Sequence, residues 1–236
     1  MRITVINGSE RRGSTYNIAK LLAGRLLTAD DDIVMEFFLP RDISSFCAGC
    51  FTCFSKGETF CPHAGQVEPI HRAIVDADVV VFTTPVYAMR ASGQMKALLD
   101  HFSYLFMTHR PEPAMFSKIA VIISTGAGGG TRGAMKDIAV SLKFWGMAKI
   151  YQYGAAVFAG EWSGVSDKKK ARIDSKINAL ADKIRGQNGR VKPGLSTKVL
   201  FNAFRVFHHK MNLSDADNSH WEDRGWLGSA RPWKKK

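Results

Sequence analysis

The sequence predicts an α/β protein built on a doubly wound, five-stranded parallel sheet. Two observations carry the prediction. Short apolar segments alternate along the chain with segments whose apolar residues recur at helical spacing, and unbroken apolar strands between amphipathic helices mean a parallel sheet covered on both faces. Three of these strands also run straight into loops of small or aromatic residues, at 8–15, 84–87 and 125–130. Open α/β sheets bind ligands at the carboxyl ends of their strands, beside the switch point, so three such loops converge on one expected site.

The elements follow in order. Residues 2–7 (Arg-Ile-Thr-Val-Ile-Asn) read as a buried strand, which enters the run Gly8-Ser9-Glu10-Arg11-Arg12-Gly13-Ser14-Thr15; a helical pattern with Ile18, Leu21, Leu22 and Leu26 comes next. Strand, small-residue loop and helix make an anion site. Loop amides and hydroxyls point inward, and the helix N-terminus adds unpaired N–H groups and the positive end of its dipole. Arg11 and Arg12 add charge, so a phosphorylated cofactor is expected there. The bland alternative is an ordinary surface loop. The spacing is neither G-x-G-x-x-G nor a Walker A loop, because no Gly-Lys-Ser/Thr follows.

A second strand is expected at 33–38, then an irregular segment over 40–65 and a helix at 67–76. Asp78-Val79-Val80-Val81-Phe82 reads as a third strand ending at Thr83-Thr84-Pro85, with a helix over 93–106. In that junction Pro85 stiffens the turn and Tyr87 offers a ring for stacking. A fourth strand at 119–124 closes on Thr125-Gly126-Ala127-Gly128-Gly129-Gly130, where glycines let the backbone approach a flat ring. A helix over 132–145, a strand near 149–158 and a helix over 167–185 complete a domain assigned to 1–187. Residues 186–194 read as a linker. The remainder, 188–236, is a basic, aromatic C-terminal extension with an amphipathic helix over 195–211 and a stretch from Trp221 to Trp233 expected to pack on its own domain or on a second subunit.

The net charge of +12 is uneven: residues 1–166 contribute +2 and residues 167–236 contribute +10. The basic part is read as a solvated helix face and a Lys-rich end, and not as a nucleic-acid site. No apolar run approaches the ~18 residues that cross a membrane. The N-terminus shows no apolar core of a signal peptide, so a cytoplasmic protein is expected.

As a set, the three loops resemble those of the flavodoxin-like, NAD(P)H-dependent FMN reductase family, over about residues 1–160. The run 8–15 is similar to that family's Gly-Ser-Pro-Arg-x-x-Gly-Asn-Thr phosphate loop. Thr84-Pro85-Val86-Tyr87, followed by the helix beginning near Ser92-Gly93-Gln94-Met95, is similar to its Ser-Pro-Val-Tyr segment, and 125–130 to its third, glycine-rich loop. Glu10 stands where the family has Pro, so its charge must point away from a phosphate, and Ser14 stands where the family has Asn. The resemblance implies a sheet of order 2-1-3-4-5 and bound FMN. Ser9, Arg11, Ser14 and Thr15 would hold its phosphate; Pro85, Val86 and Tyr87 would lie beside the isoalloxazine; Thr125, Gly126, Gly128 and Gly129 would approach its pyrimidine edge. It implies that the flavin takes hydride from NADPH or NADH while the protein supplies position and electrostatics, so no catalytic side chain is assigned.

All four cysteines lie in one segment, Cys47-x2-Cys50-x2-Cys53-x7-Cys61-Pro62. A close triplet with a more distant Cys-Pro suits a [4Fe–4S] cluster, and it also resembles the compact motif of the iron–sulfur flavoproteins. Zinc, with His63 as a substitute ligand, and metal-free thiols near the flavin are the two other readings. His101 and His109 are read as satisfied surface groups, the adjacent His208 and His209 as pointing to different faces, and Trp145 and most methionines as core; Met89, just after Tyr87, is the exception. Function follows in three alternatives. The first is an FMN-dependent NAD(P)H oxidoreductase that reduces a quinone, flavin, nitroaromatic or similar small-molecule acceptor, assembled as a homodimer or homotetramer whose second subunit covers the flavin. The second is an electron-transfer iron–sulfur flavoprotein using Cys47, Cys50, Cys53 and Cys61. The third is a non-enzymatic binding protein with a basic tail.

Overall fold

Strands β1 (Arg2–Asn7), β2 (Ile33–Phe38), β3 (Val79–Pro85), β4 (Ile119–Gly126) and β5 (Lys149–Ala156) pair in parallel throughout, in the order β2-β1-β3-β4-β5. The computed structural model describes residues 1–211 and 213–234. Eight α-helices are present among them: α1 (Ser14–Leu26), α2 (Thr52–Ser55), α3 (Ala64–Asp76), α4 (Gly93–His101), α5 (Thr131–Phe144), α6 (Asp167–Gln187), α7 (Leu195–Lys210) and α8 (Asp215–Asp223).

The side-chain period of a strand sorts the core into two layers. Ile3, Val5, Val79, Val81, Ile119, Val121 and Ile123 face α1 and α6, against Ile18, Leu22, Ile173 and Ile177. Ile6, Val80, Phe82, Ala120 and Ile122 face the other way, against Ile70 and Ile74 of α3, Leu98 of α4 and Ile138 and Leu142 of α5. The expected burial of every strand on both faces fails at β2, where Ile33 and Met35 are exposed. This is one of the two edge strands, with β1 as its one neighbour; the other, β5, has no fully buried residue.

Two helices differ from expectation. The predicted helix over 93–106 stops at His101, because Phe102 turns inward with its ring 5.5 Å from Trp145, and a 3-10 turn at Ser103–Leu105 takes over. The helix expected at 67–76 begins at Ala64 and keeps Pro69 inside it.

The aromatic extension packs on its own domain. Phe201, Trp221 and Trp226 form a third buried cluster with Met107 and Phe116, and the Trp233 ring lies 5.8 Å from Phe116. Of the two placements expected for this stretch, Trp221 and Trp226 take the first, being buried within the chain. Rings of the tail also take three main-chain carbonyls of residues 108–111: His208 Nε2 donates to Thr108 O (2.9 Å), Trp221 Nε1 to His109 O (2.7 Å) and His220 Nε2 to Pro111 O (3.0 Å).

The buried His208 and half-buried His220 make the docked tail sensitive to acid. Burial, with Arg224 nearby, holds the His220 imidazole down to about 3, and burial also lowers His208. Between pH 3 and 6.5 the unfolded chain binds a proton that folded His220 refuses, so this stability is present above pH 6.5 and lost as pH falls. We expect the unfolding free energy to drop by about 1–2 kcal/mol between pH 7 and 5. Urea midpoints at the two pH values check this, and His220→Asn should flatten the dependence; an equal dependence in that variant contradicts the assignment.

Candidate functional site

A cleft of about 240 Å³ opens at the carboxyl ends of the strands. The first loop contributes Ser9, Arg11, Ser14 and Thr15 to its wall, the second Pro85, Val86 and Tyr87, and the third Thr125 and Gly126. The sequence motifs thus meet at one place. Hydrogen bonds knit the loops together: Thr15 Oγ1 lies 2.5 Å from Thr125 Oγ1, and Ser92 Oγ donates to Gly8 O at 2.6 Å while the Ser92 amide donates to Thr84 Oγ1 at 2.9 Å. The Arg11 guanidinium reaches across the mouth to Gly160 O. Glu10 is exposed and lies outside the wall, as its charge demands.

Several features leave room for an anion. Helix α1 has Gly13 as its N-cap, with no side chain capping it, so its first N–H groups lie at the cleft without a side-chain acceptor. Ser14 Oγ and Asn7 Nδ2, both in the cleft wall, are buried without a hydrogen-bond partner among the described residues. An unsatisfied buried polar atom costs roughly 1–3 kcal/mol, and so points to a ligand that satisfies it.

The glycines divide differently from the sequence reading. Gly128 and Gly129 do not line the cleft, and Ala127 does. A Cβ on Gly126 would sit 2.3 Å from Gly129 O, so the tight turn requires a glycine at 126, while Gly128 and Gly129 are exposed. Gly130 is required by conformation: it caps α5 at φ +83°, and a Cβ there would meet Val86 Cγ1 at 2.6 Å. Beyond Tyr87 the chain turns through Ala88 (φ 47°) and Met89 (φ 65°), closed by Tyr87 N–H to Arg90 O at 3.0 Å and Arg90 N–H to Tyr87 O at 2.9 Å. Side chains at positive φ store strain on the order of 1–3 kcal/mol each, a pattern typical of ligand clamps. The turn leaves Tyr87 and Met89 exposed at the cleft rim.

Sequence reasoning missed Asn7, Thr83, Val157, Ala159 and Gly160, which also line the cleft. The last three follow β5, whose loop carries none of the three motifs. Phe158 in that loop is exposed at φ 51°, with its amide bonded to Ala127 O at 2.9 Å.

The cysteine segment follows β2, at the same end of the sheet. Cys47 and Cys50 are exposed, while Cys53 and Cys61 are half-buried and share a small cavity with His71, His101 and Tyr104. Burial raises the Cys53 thiol above its ordinary range, with the neighbouring Cys61 adding to the effect; hydrogen bonds from Thr52 lower Cys50. Among the described residues, no three His, Cys, Asp or Glu side chains are arranged around a single ion.

His101 is not the surface group expected. It is buried, and its Nδ1 lies 2.8 Å from Ala97 O, which can only accept. Its Nε2 therefore accepts from His63 Nδ1 at 3.0 Å. His109 is likewise engaged, with Nδ1 2.8 Å from Asp217 Oδ2. Burial alone would raise the Asp217 carboxyl, but the hydrogen bond and charge of His109, joined by Arg110, bring it below the usual carboxylate range.

Comparison with known proteins agrees with this geometry. Residues 1–161 match the family model for NADPH-dependent FMN reductase. An iron–sulfur flavoprotein of Archaeoglobus fulgidus is 29% identical over 233 residues, covering 96% of this chain and all of that protein (100%). Among solved structures, an NADH:FMN oxidoreductase in its apo form superposes with a TM-score of 0.55 at 19% identity, over 83% of this chain and 92% of that one. An FMN-dependent NADH-azoreductase from Bacillus anthracis, in complex with FMN, gives 0.56 at 11% identity, over 77% and 100%. At these identities the structural likenesses speak for the fold. No helix among the described residues is long and apolar enough to cross a membrane.

Proposed function

The chain belongs to the NADPH-dependent FMN reductase family, and on that premise we propose that it is an FMN-dependent NAD(P)H oxidoreductase acting on a small-molecule acceptor of the quinone, flavin or nitroaromatic kind. The observation that carries the reading is the pair of unpartnered polar atoms, Ser14 Oγ and Asn7 Nδ2, in the cleft wall beside an uncapped helix N-terminus. FMN, when bound, supplies the hydride chemistry. The residues hold and orient it. Ser9, Arg11, Ser14 and Thr15 receive the phosphate, with the α1 dipole favouring its charge. Pro85, Val86 and Tyr87 flank the ring system, and Thr125 and Gly126 lie at its polar edge. The restricted mouth, bridged by Arg11 and Gly160, suits one terminal phosphate better than the pyrophosphate of FAD.

A second reading joins this one. Four thiols within residues 47–61 are the donor set of a [4Fe–4S] cluster, and the Archaeoglobus fulgidus relative, matched end to end, is by name an iron–sulfur flavoprotein. Cys47, Cys50, Cys53 and Cys61 would be its ligands. Exposed apolar side chains crowd the same end of the sheet: Phe46, Phe51 and Phe60 about the cysteines, and Tyr87, Met89 and Phe158 at the cleft. They support a homodimer or homotetramer that covers this end without using the tail tryptophans. The division into a flavin domain over 1–187 and an extension over 188–236 is part of the same proposal.

Titrating flavin-free protein with FMN and with FAD, then following oxidation of NADPH and NADH with a quinone acceptor, tests the function. Tighter FMN binding and acceptor-dependent oxidation of either nucleotide are expected. Binding of neither flavin would overturn the assignment.

A further inference from the structure

Beyond the flavin cleft, a chain of buried polar contacts connects the C-terminal extension to the cysteines. Asp217 of α8 is 1% exposed and Arg110 is 6% exposed. Arg110 Nη1 donates to Asp217 Oδ1, and Arg110 Nη2 donates to the main-chain oxygen of Cys53. The same guanidinium donates from Nε and Nη2 to Glu58 Oε2, at 3.2 and 3.1 Å. One planar fork therefore touches the tail, the third cysteine and the turn that precedes the fourth. A parallel route runs from Asp217 Oδ2 to His109, whose ring lies 4.3 Å from Phe54, the residue after Cys53. The segment that carries His109 and Arg110 is itself gripped by the tail, through the three carbonyl contacts of His208, Trp221 and His220.

Nothing in the reductase chemistry requires this arrangement. It lies away from the residues of the flavin cleft, and a buried guanidinium shared among three acceptors is costly unless the geometry is needed. Arginine suits the task because its planar, five-donor fork can serve several acceptors in fixed directions, which a lysine ammonium cannot. The cysteine segment is short of regular structure: α2 has four residues, none of them fully buried, with Cys53 and Phe54 packed against the margin of the core. Arg110 adds a bond to its main chain from another part of the fold.

We propose that Arg110, held in place by Asp217 of the C-terminal extension, is a positioning residue that fixes Cys53 relative to Cys61, so that the extension presets the cysteine segment for its ligand. The proposal rests on the cluster reading only for the identity of that ligand; the latch itself is made of protein–protein contacts. It assigns a role to a tail that the sequence presents as merely basic and aromatic.

Pulse alkylation of full-length, metal-free protein with iodoacetamide, read cysteine by cysteine by mass spectrometry, tests it. In the wild type, exposed Cys47 and Cys50 label rapidly and Cys53 slowly. Arg110→Lys keeps a cation against Asp217 but cannot reach Glu58 and Cys53 together. The paired variant Arg110→Met/Asp217→Leu removes both charges and leaves no buried ion unpartnered, which guards against simple unfolding. In both, Cys53 labelling relative to Cys47 and Cys50 is expected to rise at least tenfold, with FMN affinity unchanged. In reconstituted protein, iron loss to a chelator should quicken by a similar factor. Cys53 labelling at the wild-type rate in both variants overturns the latch, whatever the iron content of the wild type. Wild-type protein that takes up no iron, with Cys53 still unmasked by the variants, would instead remove the cluster reading and leave the latch standing.

Discussion

Replacing Asp217 with alanine is expected to destabilise the folded chain by about 3–5 kcal/mol, the usual cost of deleting one partner of a buried ion pair. The reason lies in what remains. Arg110 is 6% exposed and would keep its charge with no carboxylate at Nη1, while its other partners are the Cys53 carbonyl and the more exposed Glu58. His109 loses its acceptor at the same time. Small domains hold only about 5–15 kcal/mol in total, so this one change would remove a large share. Urea denaturation followed by tryptophan fluorescence measures it directly, because Trp221 and Trp226 sit in the cluster that α8 anchors. Asp217→Asn preserves the shape and one acceptor oxygen and should cost less than the alanine change. A loss below 1 kcal/mol for Asp217→Ala would show that the buried pair contributes little.

The second large effect concerns the cleft. The double substitution Arg11→Ala/Thr15→Ala is expected to weaken FMN binding by about 2–4 kcal/mol, since hydrogen bonds to a charged group are worth about 1.5–3 kcal/mol each and the two overlap. In affinity this is roughly a 30- to 900-fold loss. Thr15 acts twice, through its hydroxyl and through the bond to Thr125 that joins the first loop to the third. Arg11 contributes charge and closes the mouth onto Gly160. Glu10→Gln, at an exposed position outside the wall, should change affinity far less. Isothermal titration of the flavin-free variants decides, and an unchanged FMN affinity in the double variant would remove the phosphate site from the first loop.

The central sheet was legible because each inner strand is an apolar run and the small-residue loops mark three of its carboxyl ends. The wall after β5 was not, because Val157, Ala159 and Gly160 carry no local signal and enter the cleft only when β5 pairs with β4. Composition also misled at Gly128 and Gly129. A Cβ would fit at both, and they are exposed, so in sequence they look like Gly126, which lines the cleft and where a Cβ would meet Gly129 O at 2.3 Å. The cysteine segment has no periodicity to read, and its α2 begins after Phe51 in the left-handed region, φ 58°. The Arg110–Asp217 pair spans 107 positions, so no window could have shown it. His109 and His101 were read as surface groups because their partners, Asp217 and His63, are equally distant in sequence or hidden in that segment.

The absorbance spectrum of anaerobically purified protein, reconstituted with FMN, iron and sulfide, with iron and acid-labile sulfide determined on the same sample, tests the whole reading. Flavin bands from FMN, a broad visible shoulder beyond them, and about four irons and four sulfides per chain are expected. Cys50→Ser should lack the shoulder and keep the flavin. A wild-type protein that takes up neither FMN nor iron under these conditions would contradict the account.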